Sequence, residues 1–163
     1  MSRIMFIDTE TGGLDPKVHS LLSVGAVIWD DGEILGKKQW YVKEEVYHVT
    51  PSAMKMNEID LGSLVTRGLE PQLVIMELVQ MVQSYGISDL QMVMGGHNTA
   101  FDVGFLKEMF KNNNAIYSDY FSHRVVDSAA IVQFLIAAKM LPVELGGSSD
   151  KAFEDFGIKV DGR

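Results

Sequence analysis

Apolar and polar positions repeat along this chain at two periods, and each period marks a kind of element. Residues 3–8 (RIMFID) and 21–29 (LLSVGAVIW) are short runs rich in Ile, Val and aromatic residues, which predicts strands. Asp30-Asp31-Gly32-Glu33 separates the second run from 34–42 (ILGKKQWYV), and Asp-Gly between two such runs predicts a hairpin. Pro51 opens a short helix over 51–59, where a first-turn proline is tolerated. Leu73, Met76 and Val79, with the pair Leu78 and Val82, keep helical spacing and predict a longer helix over 70–85. A strand follows at 90–95 (LQMVMG), then a helix over 98–113 capped by Asn98 or Thr99. Residues 123–127 read as the last strand and 128–140 as the helix after it. A loop at 146–149 leads into a short helix ending at Gly157. This order describes one α/β domain that begins with an antiparallel meander.

Composition fits that picture. A chain of 163 residues, 47% hydrophobic and 22% charged, is long enough to bury a core as a single globular domain. No apolar run approaches the ~20 residues of a membrane span, and no secretory signal opens the chain. The absence of cysteine excludes disulfides and thiolate ligands, and the cytoplasm is the expected compartment. Charge complicates the search for a partner. With 14 basic and 22 acidic residues the net charge is −8, whereas proteins that hold nucleic acid by electrostatics are usually basic. A site that reaches phosphates through bound divalent cations escapes this objection.

Such a site has a candidate in FIDTETGGLDP, residues 6–16. Residues i and i+2 of a strand face the same side, so Asp8 and Glu10 project together. Two close like charges need protonation, a protein cation or a metal, and hard divalent cations favour carboxylate oxygens. The alternative is a strand end emerging into solvent, and Asp31-Gly32-Glu33 repeats the same spacing in a turn. Ile4 and Phe6 share the face of the acids, which places them at the end of a central strand. Gly12-Gly13 then lets the backbone approach a ligand closely.

A second candidate is GGHNTAFDVGFL, residues 95–106. Asp102 falls in the first turn of a helix that follows a strand, where it either compensates the helix dipole or joins a site at the strand's end. Phe101, Phe105, Leu106 and Met109 read as core, and His97 and Asn98 as loop and cap residues.

Together the two stretches resemble the first two motifs of the DEDD (DnaQ-like) 3′–5′ exonuclease family, in its His branch. The resemblance implies a ribonuclease H-like α/β fold with a mixed five-stranded sheet, three strands antiparallel and then two parallel. It implies that Asp8, Glu10 and Asp102 are three of four metal-binding acids for two Mg²⁺ or Mn²⁺ ions. Asp8 would bridge both ions, Glu10 and the fourth acid would hold the ion of the nucleophile, and Asp102 mainly the other. Thr11 and Leu14 would hold the terminal nucleotide, with His97, Asn98 and Phe101 shaping the site behind it. The partner would be a single-stranded 3′ end of DNA or RNA, with a polymerase or a second copy as further partners and no membrane. The motif's usual second Thr is Gly12 here.

The family's third motif supplies the general base and fourth acid as His-x4-Asp, on a helix that would begin just after Arg163. Residues 1–163 are therefore expected to be an exonuclease domain lacking its catalytic C-terminal helix, a fragment whose activity is impaired. His123 and Asp127 have the wrong spacing to replace it, so Asp127 reads as an N-cap and His123 as structural. His19 and His48 read as surface residues, and Tyr85, Tyr117 and Tyr120 lack the context of the family's Tyr branch. Two alternatives stay open: a catalytically weakened nucleic-acid or protein-binding module on the same fold, and an unrelated α/β domain whose acids only cap and solvate.

Overall fold

The computed structural model describes residues 3–86 and 91–142. Residues up to Val126 form one compact unit, and a second begins at Asp127. The first is built on a five-stranded sheet in the order β3-β2-β1-β4-β5, with β1 at Ile4–Thr11, β2 at Leu21–Asp30, β3 at Glu33–Tyr41, β4 at Met92–Gly96 and β5 at Phe121–Asp127. β1 pairs antiparallel with β2 and β2 with β3, whereas β1 runs parallel to β4. This is the mixed, ribonuclease H-like sheet that the motifs imply. The β2–β3 turn bends as its sequence demands: Asp31 and Gly32 adopt φ of 49° and 90°, both positive as a type I′ hairpin requires.

The first strand runs further than its apolar pattern indicates, continuing through both acids to Thr11. Its alternation is regular. Met5, Ile7, Thr9 and Thr11 are buried on one face, while Ile4, Phe6, Asp8 and Glu10 lie on the other. The buried face meets α3 (Pro71–Tyr85) and α4 (Thr99–Asn112) in a core that includes Ile28, Trp40, Leu78, Phe105, Leu106 and Phe110. Burying each such side chain stabilises the fold by about 1.5–3 kcal/mol. Glu77 of α3 ties that helix to β3, accepting from Trp40 Nε1 at 2.6 Å and pairing with Lys38 at 2.7 Å.

Three local expectations change. α3 is rotated from the predicted face: Val74, Ile75, Leu78, Met81 and Val82 are buried, while Leu73 and Met76 point outward. Leu73 and Met76 share helical spacing with core positions but sit one step off the stripe that meets the sheet. α1 spans Pro51–Asn57, and an additional helix, α2, covers Leu61–Arg67. Asp60 caps α2, accepting from the backbone N–H groups of Gly62 and Ser63, both at 3.1 Å. A 3₁₀ turn at Tyr117–Asp119 precedes β5.

In the second unit, α5 spans Ser128–Ala137, and Asp127 is its N-cap as expected, accepting from Ala129 and Ala130 N–H. The loop at 146–149 and the helix expected before Gly157 lie outside the described residues. Among the described residues no helix is long and apolar enough to cross a membrane.

Candidate functional site

The site is organised by the point at which two strands part company. β1 and β4 stay in register only from Ile4–Val93 to Phe6–Gly95. Beyond it β4 ends at Gly96 and the chain turns through His97 and Asn98 into α4. Asn98 takes the left-handed conformation (φ 61°, ψ 45°), which Asn tolerates better than most residues. The helix N-terminus is thereby aimed at the end of β1.

Asp102, in the first turn of α4, fills the opening. It is 5% exposed, and its Oδ1 accepts from the Thr9 N–H at 2.9 Å and the Thr9 hydroxyl at 2.7 Å. A side chain here takes the place of a strand partner. Burial raises the Asp102 pKa above its usual value and the nearby charge of Asp8 raises it further, while the bonds from Thr9 oppose both. Two acids from different elements thus share one electrostatic environment. Asp8 is exposed and Glu10 half-buried on the same face of β1. Among the described residues, no three His, Asp or Glu side chains are gathered closely enough to form a metal-holding group. The donor chemistry of these carboxylates suits a hard cation.

The other expected residues surround this point. Thr11 is buried, with its hydroxyl donating to the Gly13 carbonyl at 2.8 Å and its own carbonyl accepting from Asn57 Nδ2 at 3.1 Å. Leu14 is 83% exposed. His97 is half-buried, Asn98 exposed, and Phe101 packs against Phe105 with ring centroids 5.1 Å apart. An open groove of about 560 Å³ runs along the same sheet face, lined by Phe6, Asp8, Gly25, Val27, Lys37 and Gln39 among others.

Behind the Gly-Gly turn lies a network that motif reading missed. Ser20 donates its hydroxyl to Glu44 Oε2 at 2.5 Å and accepts from the His48 N–H at 2.8 Å. Backbone bonds join in: Gly12 N donates to Ser20 O, Ser20 N to His48 O, and Thr50 N to Gly12 O. Burial raises the Glu44 pKa, opposed by the Ser20 bond and by His48. Ser20 and Asn57 lie in no motif, and Thr9 stands between the two acids of the first. The only clue to Thr9 was its period-2 place on the buried face.

His48 is exposed as expected. His19 is not simply a surface residue: it is half-buried, its ring packs where a Gly13 side chain would stand, and Nδ1 accepts from the Asp15 N–H at 3.1 Å. His123 is exposed on β5.

Sheet and site together define an α/β domain of ribonuclease H-like topology with acidic residues at the end of its central strand. The chain belongs to the exonuclease family, whose model it matches over residues 5–163. It is 29% identical over 106 residues to the 3′–5′ DNA exonuclease Cap18 of Escherichia coli, covering 64% of this chain and 54% of that protein. It is 22% identical over 147 residues to ribonuclease T of Actinobacillus pleuropneumoniae serotype 5b, covering 84% of this chain and 66% of the relative. The zinc-bound complex of E. coli exonuclease I with single-stranded DNA shares the fold, with a TM-score of 0.83 at 18% identity, covering 98% of this chain and 36% of that one. The chain therefore spans no more than about two-thirds of the length of these proteins.

Proposed function

We propose that residues 1–163 are one exonuclease domain that removes nucleotides from the 3′ end of DNA or RNA with the help of divalent cations. The observation that carries this reading is the buried Asp102 carboxyl, fastened to Thr9 beside Asp8 at the end of the central strand. Burying an acid next to another acid costs stability, and groups perturbed in this way cluster at functional sites. Membership of the exonuclease family supports the same reading.

In this proposal Asp8, Glu10 and Asp102 hold two Mg²⁺ or Mn²⁺ ions. When bound, such ions supply Lewis-acid activation of water and neutralise charge on the phosphate. The protein's own part is positioning. The Thr9 bonds keep Asp102 Oδ1 engaged and fix the orientation of the carboxyl. Thr11 and Leu14 would seat the terminal nucleotide, with His97, Asn98 and Phe101 closing the pocket behind it. The positive charge of the ions is what allows a chain of net charge −8 to accept a polyanion.

One observation favours a second reading. The absence of a three-ligand group among the described residues fits a weakened binding module that retains the fold. Incubation of the full-length protein with 3′-labelled single-stranded DNA and RNA separates the two. The expected result is release of labelled mononucleotide in Mg²⁺, none in EDTA, and none from Asp8→Ala. Binding without release in any divalent cation supports the module; unimpaired release by Asp8→Ala removes Asp8 from the mechanism.

A further inference from the structure

We propose that Tyr41 and Arg67 form a subsite for the nucleotide next to the terminal one, an inference that rests on the exonuclease reading above. The register of the sheet carries it. Glu10 lies opposite Ser23 on β2, and Ser23 lies opposite Tyr41 on β3. Residues directly opposite in antiparallel pairs share a face, so Tyr41 projects on the same side of the sheet as Asp8 and Glu10. Two strand spacings separate the backbones of Glu10 and Tyr41 by about 10 Å. That is the reach of a neighbouring nucleotide, beyond the one being removed.

Arg67 reaches this position because the chain after α2 joins the sheet. Leu69 N donates to Tyr41 O and Lys43 N to Leu69 O, both at 2.8 Å, and Val42 bridges Leu69 in parallel. The turn from helix to bridge holds the Arg67 guanidinium over the Tyr41 ring, 5.9 Å from its centroid. Tyr41 is half-buried and Arg67 exposed. Neighbouring Lys43 is engaged by Glu70 at 3.3 Å, whereas Arg67 makes no ion pair among the described residues.

A cation in the last turn of a helix compensates the dipole, and any basic residue there would do so. The dipole does not require an aromatic ring beneath it, or a face shared with two acids. Aromatic rings and guanidinium planes stack bases without regard to sequence, and the guanidinium also meets phosphate. On a chain this acidic, a cation two strands from the carboxylates offsets part of the repulsion that a single strand meets on approach. The ligand class is therefore single-stranded nucleic acid of at least two nucleotides, contacted through base stacking and one phosphate.

The test measures binding in Ca²⁺ by fluorescence anisotropy, using 5′-labelled eight-nucleotide dT and rU strands, with dTMP and UMP as unlabelled competitors. Tyr41→Ala is expected to weaken binding of the preferred strand by about 5- to 150-fold, the range for one stacked base. Tyr41→Phe retains binding. Arg67→Ala reduces the slope of log K against log salt by about 0.7, one phosphate contact on a single strand. Competition by the mononucleotide stays unchanged in all three variants. Equal weakening of strand and mononucleotide, or unchanged strand binding in Tyr41→Ala and Arg67→Ala together, overturns the subsite while leaving the exonuclease reading intact. A wild-type chain that binds neither strand nor mononucleotide overturns both.

Discussion

Gly12 offers a direct test of how the turn after the acids is held. A methyl group added there would stand 2.2 Å from the His48 carbonyl oxygen, 3.0 Å from Val49 Cγ1 and 3.1 Å from Val49 Cα. Two of these atoms are backbone, so no rotamer change relieves the contact. One side must move by about 1 Å to restore ordinary separation. The movement is resisted because Thr50 N donates to Gly12 O at 2.7 Å and Ser20 N to His48 O at 3.0 Å. Losing both bonds costs about 0.5–1.5 kcal/mol each. Residual overpacking adds about 1–3 kcal/mol. Gly12→Ala should therefore lose about 4 kcal/mol, which lowers the melting temperature of a chain this size by about 8–16 °C. Gly32→Ala is the control: its Cβ meets nothing within 4 Å, and only its φ of +90° opposes a side chain. That strain costs about 1–2 kcal/mol. Thermal melts followed by circular dichroism compare the two, and a Gly12→Ala melt no lower than that of Gly32→Ala refutes the reasoning. Gly12→Thr, which restores the usual residue of the resembled motif, should be at least as damaging.

Further predictions follow from the buried acids and the caps. Asp102 has a raised pKa, so its protonated form is favoured on folding; its stabilisation is full below the ordinary value of 3.8 and is lost as pH rises through the folded value. Asp102→Asn keeps an Oδ1 acceptor for both Thr9 bonds and should melt above wild type at pH 7, with the gap closing in acid, while nucleotide release is lost. Glu44→Ala strands the Ser20 hydroxyl and should cost about 1–3 kcal/mol in urea denaturation, whereas Glu44→Gln retains the acceptor and should stay near wild type. Asp60→Ala removes the cap of α2 and should cost about 1 kcal/mol, read as a lower urea midpoint at unchanged slope.

The parts of the fold visible in sequence are those where local chemistry and tertiary packing agree. Asp31-Gly32 forms the turn it encodes because both positive φ angles suit its residues. Asp8 and Glu10 stand on one face because strand geometry leaves no choice. α2 is hidden in the sequence because LGSLVTR combines Gly, Ser, Val and Thr, all weak helix formers, and only the Asp60 cap marks its start. The face of α3 is not legible because Leu73 and Met76 are as apolar as the core residues; which side meets the sheet is decided by packing. At the site, Asp102 was legible as an acid in a first turn, but its partner was not. Nothing in the sequence marks Thr9 as that partner, and only the divergence of β4 from β1 frees the N–H that Asp102 accepts.

That same divergence makes Thr9 a sensor. Its amide proton, three residues past the last β1–β4 pair, is held by a carboxylate oxygen whose affinity for it depends on ionisation. The chemical shift of one backbone resonance should therefore follow the titration of Asp102, and move again when a cation draws on the same carboxyl. Hydrogen exchange at Thr9 would report the stability of the α4 N-terminus, since its N–H is held by Asp102 and not by a ladder bond to β4. A single isotope-labelled threonine amide can thus read out protonation, ion loading and local opening without nucleic acid present.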